Sequence, residues 1–149
     1  MVELAKDDER KLAIELFNAC WDLIEKKDRS AEEDAQMLHL ANASVYHWRN
    51  ICGAKERAIG EWQCSRVNAL LGFGGAALLH AKRSAELSAA LPKPHFMHAS
   101  AAEGLAFSYF VAGDREQAEH YKALAHSELE GVGEEDAAHI RKQIDKLPF

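Results

Sequence analysis

The absence of threonine is the sequence feature that most limits what this chain can fold into. The 149 residues include 26 alanines and no threonine, with only 5 valines and 6 isoleucines. β-Branched residues favour strands, whereas alanine has the highest helix propensity of all residues. The composition therefore predicts an all-α protein and excludes a β-sandwich, a barrel and a doubly wound sheet. A chain of this length is expected to form one domain, over residues 1–149.

Glycine and proline divide the chain into about seven predicted helices. Ser30 and Glu33 form the pattern of a capping box at the start of the second helix, Gly53 is expected to end that helix, and Asp114 is expected to cap the sixth. The short connections predict antiparallel neighbours. We expect helix pairs over about 3–52, 54–91 and 95–131, and a last helix over 134–147.

Charge and cysteine content limit the classes of protein to which this chain can belong. The net charge of -6 argues against a general nucleic-acid-binding protein, and no apolar run is long enough for a membrane span. The N-terminus has no apolar core of a signal peptide. The three cysteines, Cys20, Cys52 and Cys64, lie in apolar helical runs without C-x-x-C spacing, and we expect free buried thiols. These features predict a cytoplasmic protein.

The chain contains an internal repeat. Gly72 and Gly113 are 41 residues apart, and an alanine follows each glycine after five residues. Small residues also stand seven positions before each glycine and seven positions after each alanine (Ser65, Ala106, Ser84 and Ala125). Small side chains at these positions allow two antiparallel helices to approach closely.

This pattern resembles the tetratricopeptide repeat (TPR), whose G-D-x-x-x-A turn is similar to Gly113–Ala118. The spacing is longer than the usual 34 residues, and the first helix pair lacks the signature. The resemblance implies a superhelix of right-handed helical hairpins in which the first helix of each pair lines a concave groove. It also implies a protein-interaction module rather than an enzyme.

A second, narrower resemblance covers about a third of the chain. The residues Tyr46-His47-Trp48-Arg49, Gly60-Glu61-Trp62-Gln63, Ser65-Arg66-Val67 and His80-Ala81 are similar to those of small bacterial TPR-like proteins of unknown function. This resemblance supports the predicted fold and implies no activity.

The leading functional prediction is a groove that binds a protein or peptide partner. Counting back from the two turn glycines places Trp62, Arg66, Glu103, Phe107 and Phe110 on the groove face. Aromatic residues and arginine often dominate interface energies. The alternative is that Arg66 and Glu103 form an ion pair that satisfies two partly buried charges. The TPR carboxylate-clamp residues are absent, so capture of a C-terminal carboxylate is not expected.

A competing prediction is a small-molecule or minor enzymatic site between the second, third and fourth helices. If Gly53 is the centre of a hairpin, Trp48 is level with Gly60 and His47 is level with Glu61. His47, Glu61 and His80 could then form a polar site, because imidazole and carboxylate tune each other's pKa.

Neither a metal nor a cofactor is expected. The pairs His95 with His98 and Asp136 with His139 have ligand-like i, i+3 spacing, but two isolated pairs do not make a site. Self-association as a homodimer, through the first or last helix, is a further expectation, because short repeat arrays often expose an apolar end.

Overall fold

The computed structural model describes residues 2–149 and confirms the all-α prediction. Met1, the first residue of the predicted domain, lies outside the described residues. The remaining chain forms seven helices joined by short connections: α1 (Lys6–Glu25), α2 (Ala31–Ile51), α3 (Ala54–Leu70), α4 (Gly74–Ser88), α5 (Phe96–Val111), α6 (Arg115–Ser127) and α7 (Glu134–Asp145).

Polar side chains fix the starts of two helices as the sequence predicts. Ser30 accepts a hydrogen bond from the Glu33 backbone N–H, and Glu33 accepts one from the Ser30 N–H, completing the capping box of α2. Asp114 accepts a hydrogen bond from the Gln117 N–H at the start of α6. Gly53 differs from the expectation: with φ of -84° it has no left-handed conformation, and it serves as the N-cap of α3.

The turns at Gly72 and Gly113 have the same backbone structure. Both glycines adopt positive φ, 82° and 90°, where a Cβ atom would be strained. Each turn has the paired hydrogen bonds of a Schellman motif. In the first turn the N–H groups of residues 71, 72 and 73 donate to the carbonyls of residues 67, 69 and 68, and in the second turn the same three bonds recur 41 residues later. The repeat in the sequence is therefore a repeat of backbone geometry.

The helices lie in two layers. α1 contacts α3, α3 contacts α5 and α5 contacts α7, whereas α2, α4 and α6 contact only their neighbours along the chain within residues 2–149. The odd-numbered helices therefore form a continuous inner layer. The even-numbered helices form an outer layer and are separated from one another by clefts.

Small residues bring the layers together. The repeat positions Ala77, Ala106, Ala118 and Ala125 are all fully buried. A Cβ atom added at Gly60 would lie 3.2 Å from Cδ1 of Trp48, so the predicted pairing of this indole with a glycine is present. Because the helix backbones approach each other closely at these positions, each additional methyl group requires a neighbour to move.

The cysteines are free, and two of the three are buried as predicted. Burial raises the pKa of the Cys20 thiol to about 12, and it raises the pKa of Cys64 as well. Cys52 differs because it caps the exposed end of α2, where it is half-buried and accepts a hydrogen bond from Arg10.

Candidate functional site

Glu103 is the centre of a polar cluster on the inner layer. Its side chain lies on α5 and is fully buried. Trp62 of α3 donates a hydrogen bond from Nε1 to Glu103 Oε2 at 2.8 Å, and Arg66 donates from NH1 to Glu103 Oε1 at 2.7 Å. The predicted groove residues Trp62, Arg66 and Glu103 are therefore brought together, in the ion pair that the alternative interpretation expected.

The electrostatics of this cluster depend on Arg66. Burial raises the pKa of the Glu103 carboxyl, and the Arg66 charge and the two hydrogen bonds act in the opposite direction. The Arg66 guanidinium also lies over the rings of Trp62 and Phe107, 5.8 and 5.7 Å from their centroids. A charge held by a carboxylate and two aromatic faces is fixed in position.

Helix α7 covers the other part of the predicted groove face. Phe107 belongs to the same buried cluster as Ile140 and Ile144 of α7. Phe110 stacks on the C-terminal residue Phe149, with ring centroids 4.8 Å apart. Of the five predicted groove residues, Phe107 and Phe110 are thus packed against the C-terminal segment, and Glu103 lies beneath the surface.

An open cleft remains between α1 and α7, with Trp62 and Arg66 in its floor. It consists of two adjoining cavities of about 270 and 250 Å³ that share His139 and Gln143 of α7. The first cavity is mainly apolar and is lined by Phe17, Ile59, Trp62, Phe96, Met97, Ser100, Asp136, His139, Ile140 and Gln143. A cavity of this size accommodates one large apolar side chain.

The second cavity has a cationic lining. Arg66 lies in its floor and Lys142 and Lys146 lie on the α7 side, while Glu25 of α1 is its single acidic residue. The Arg66 Nε atom is buried and has no hydrogen-bond partner within residues 2–149. The cleft therefore combines an apolar end with an end where Lys142 and Lys146 are available to an acidic group, while the Arg66 charge is already paired with Glu103.

The alternative polar site is only partly assembled. His80 Nδ1 and Glu61 Oε2 are 2.6 Å apart, so these two residues do meet between α3 and α4. His47 instead bonds Glu9 of α1 through Nδ1 at 2.7 Å, and together with an Asn50 bond this lowers the pKa of Glu9. Equal height in a hairpin does not place residues on one face, because successive helical residues point about 100° apart.

Two further observations concern metal ions and membranes. Within residues 2–149, no group of three histidine, cysteine or acidic side chains is placed where it could hold a metal ion. No helix in the same part of the chain combines the length and the apolar character needed to cross a membrane.

Sequence reasoning missed the α1 and α7 walls of the cleft. Trp21 stands against Trp62 with ring centroids 5.6 Å apart. Lys142 of α7 and Lys146, which caps the end of α7, are both exposed, and the opposite side of this helix is apolar. The i, i+4 spacing of these two lysines was the available signal, because it places both on one face.

No protein-family model, curated protein or solved structure matches this chain.

Proposed function

We propose that this chain is a TPR-like, non-enzymatic helical-repeat module that binds an extended peptide segment of a protein partner in the cleft between α1 and α7. The observation that carries the proposal is the cleft itself, whose apolar cavity adjoins a cavity with three basic side chains. The equivalent turns at Gly72 and Gly113 support the TPR-like assignment. The free cysteines suit a cytoplasmic protein, where thiols remain reduced.

The lining of the cleft supports one peptide chemistry. An apolar side chain fills the cavity over Trp62, and an acidic side chain reaches the ammonium groups of Lys142 and Lys146. Along α7, His139 and Lys146 are about 10 Å apart at 1.5 Å per residue, which an extended peptide spans in about three residues. The proposed ligand is therefore an apolar residue followed, about three positions later, by Asp or Glu, in either chain direction.

The floor of the cleft supports binding because it is already rigid. Trp62 and Arg66 are held by Glu103, so neither side chain loses much rotamer freedom when a ligand arrives. Preorganisation of this kind lowers the entropic cost of association.

Selection from a random peptide library on the immobilised protein tests the proposal. We expect enrichment of sequences that combine an apolar and an acidic residue at the stated spacing, and we expect the double variant K142E/K146E to bind a selected peptide at least about tenfold more weakly in fluorescence anisotropy. The matched control is K11E/K27E, which makes the same charge change at exposed lysines outside the cleft.

A second variant tests the apolar cavity. His139 is exposed and lines both cavities, so H139W fills the cleft without disturbing the core, and we expect it to abolish binding. A selection without a consensus, or a peptide that binds all variants equally well, would contradict the proposal.

A further inference from the structure

A second cleft, on the opposite side of the molecule, lies between α2 and α4. These two outer-layer helices do not contact each other within residues 2–149, and α3 forms the floor between them. Two adjoining cavities of about 340 and 260 Å³ occupy the cleft, and both are lined by Arg49, Arg57, Glu61 and Arg83. Three arginines from three different helices therefore converge on one space.

None of the three arginines is neutralised by a bonded partner. Among residues 2–149, neither an ion pair nor a side-chain hydrogen bond is formed by Arg49, Arg57 or Arg83. Glu61 directs its carboxylate to His80, and the exposed Glu86 at the edge of the larger cavity forms no ion pair. The three arginines outnumber the two glutamates of the lining, which gives the cleft a formal charge of +1 with His80 neutral, although the chain as a whole has a net charge of -6.

The repeat shows that the fold does not require a charge at the position of Arg83. The next cleft of the outer layer, between α4 and α6, has a cavity of about 440 Å³ with a largely apolar lining. When the sequence is shifted by the 41-residue repeat, Arg57 corresponds to His98 and Arg83 corresponds to Leu124. His98 and Leu124 both line the cleft between α4 and α6. The same backbone position thus accepts leucine in one cleft and an unpaired arginine in the other. A role in packing therefore does not account for Arg83.

We propose that the cleft between α2 and α4 binds a phosphate group, either inorganic phosphate or a phosphate monoester, through the guanidinium groups of Arg49, Arg57 and Arg83. Guanidinium groups present N–H donors in a planar fork that matches phosphate oxygens. Three of them approaching from separate helices supply enough donors to surround a dianion. Tyr46, which is 54% exposed, lines the smaller cavity and offers a face for the organic part of an ester.

The geometry favours a small ligand over a nucleic-acid backbone. The arginines surround one pocket instead of forming a stripe, so they match a single phosphate group rather than a row of them. The site is independent of the peptide cleft, because none of its lining residues lines either cavity between α1 and α7.

Isothermal titration of the full chain in a phosphate-free buffer at constant ionic strength tests the proposal. The probes are inorganic phosphate, adenosine monophosphate and adenosine. We expect saturable binding of a phosphate-bearing probe with a Kd below about 1 mM, and no binding of adenosine. Equal affinity for the two phosphate-bearing probes identifies free phosphate as the ligand, whereas tighter binding of the monophosphate identifies an ester.

Variants at Arg83 separate the site from general charge effects. R83L installs the residue that the repeat-equivalent cleft contains, and we expect it to weaken binding about tenfold or more, since a hydrogen bond to a charged group is lost. R83Q is the second variant, in case R83L folds poorly. A melting temperature equal to that of the wild type shows that a variant is correctly folded. R141L on α7 makes the same charge change outside the cleft, and we expect wild-type affinity.

Three outcomes overturn the proposal. They are the absence of saturable binding by either phosphate-bearing probe at millimolar concentration, equal binding of adenosine and its monophosphate, and wild-type affinity in both R83L and R57L. None of them bears on the peptide cleft, so failure of this site and failure of the proposed function are distinguishable.

Discussion

Removal of Arg66 is expected to make the stability of this protein depend more strongly on pH, because the Arg66 charge opposes the effect of burial on the pKa of Glu103. In the substitution Arg66→Met, Glu103 keeps the Trp62 hydrogen bond but loses its counter-ion in a fully buried position. Breaking a buried pair by removing one partner commonly costs about 3–5 kcal/mol, because the remaining charge is uncompensated. The variant can avoid this cost by protonating Glu103.

Protonation sets an upper limit on the electrostatic penalty. The ordinary pKa of a glutamate is 4.5, and holding its carboxyl protonated at pH 7 costs about 3.4 kcal/mol at 1.36 kcal/mol per pH unit. In the variant, the folded state keeps a proton that the unfolded state has released, so the free energy of unfolding falls as the pH rises above about 4.5. The free energy of unfolding continues to fall, by up to about 1.4 kcal/mol per pH unit, until Glu103 ionises in the folded state.

Urea unfolding followed by far-UV circular dichroism, at several pH values between about 5 and 8, measures this effect. Arg66→Met is expected to lose stability steadily over this range. The double variant R66M/E103Q has no buried charge, so we expect a weaker pH dependence and greater stability at pH 7 than in R66M alone. Arg115→Met is the surface control, because Arg115 pairs with Glu119 in an exposed position and such pairs contribute less than about 1 kcal/mol. A pH-independent R66M, or a double variant less stable than R66M, would refute the reasoning.

Three further predictions concern the scaffold. G104A is expected to destabilise the fold by about 1–3 kcal/mol, because the added Cβ would lie 3.1 Å from Cδ1 of Trp62; G75A, where nothing lies within 4 Å, is the control, and thermal melts that rank the two variants equally would contradict this account. S30A removes the capping box and is expected to cost about 1 kcal/mol, a loss that S30T should largely avoid in the same denaturation assay. Ellman's reagent is expected to label Cys52 in the native protein and the two buried cysteines only after unfolding; three equally fast thiols would contradict the packing described here.

The sequence predicted the scaffold better than the site, for physical reasons. Alanine content, caps and turn glycines are local signals, because each acts on its own helix or turn, and they located all seven helices. The pairing of Arg66 with Glu103 followed from the repeat register, which places both on the inner layer. Self-association, the partner and the groove itself remain predictions.

The sequence did not predict the rotation of each helix about its own axis or the position of α7. His47 was predicted to be level with Glu61, yet its side chain lies on the α1 side of α2, where it bonds Glu9. Phe107 and Phe110 have the right periodicity for a groove face, but α7 and Phe149 pack on them. Both facts depend on contacts between segments distant in the chain, and periodicity within a single helix does not encode such contacts.

The restriction of helix contacts to helices one or two places apart in the chain has a consequence for how the protein folds. Within residues 2–149, contacts between helices cross either one short loop or one intervening helix, so the relative contact order is low and little loop entropy is lost before packing begins. Refolding should therefore be fast, on a timescale of about milliseconds or less. Because each hairpin is stabilised mainly by its immediate neighbours, folding can begin in any of them and spread in either direction.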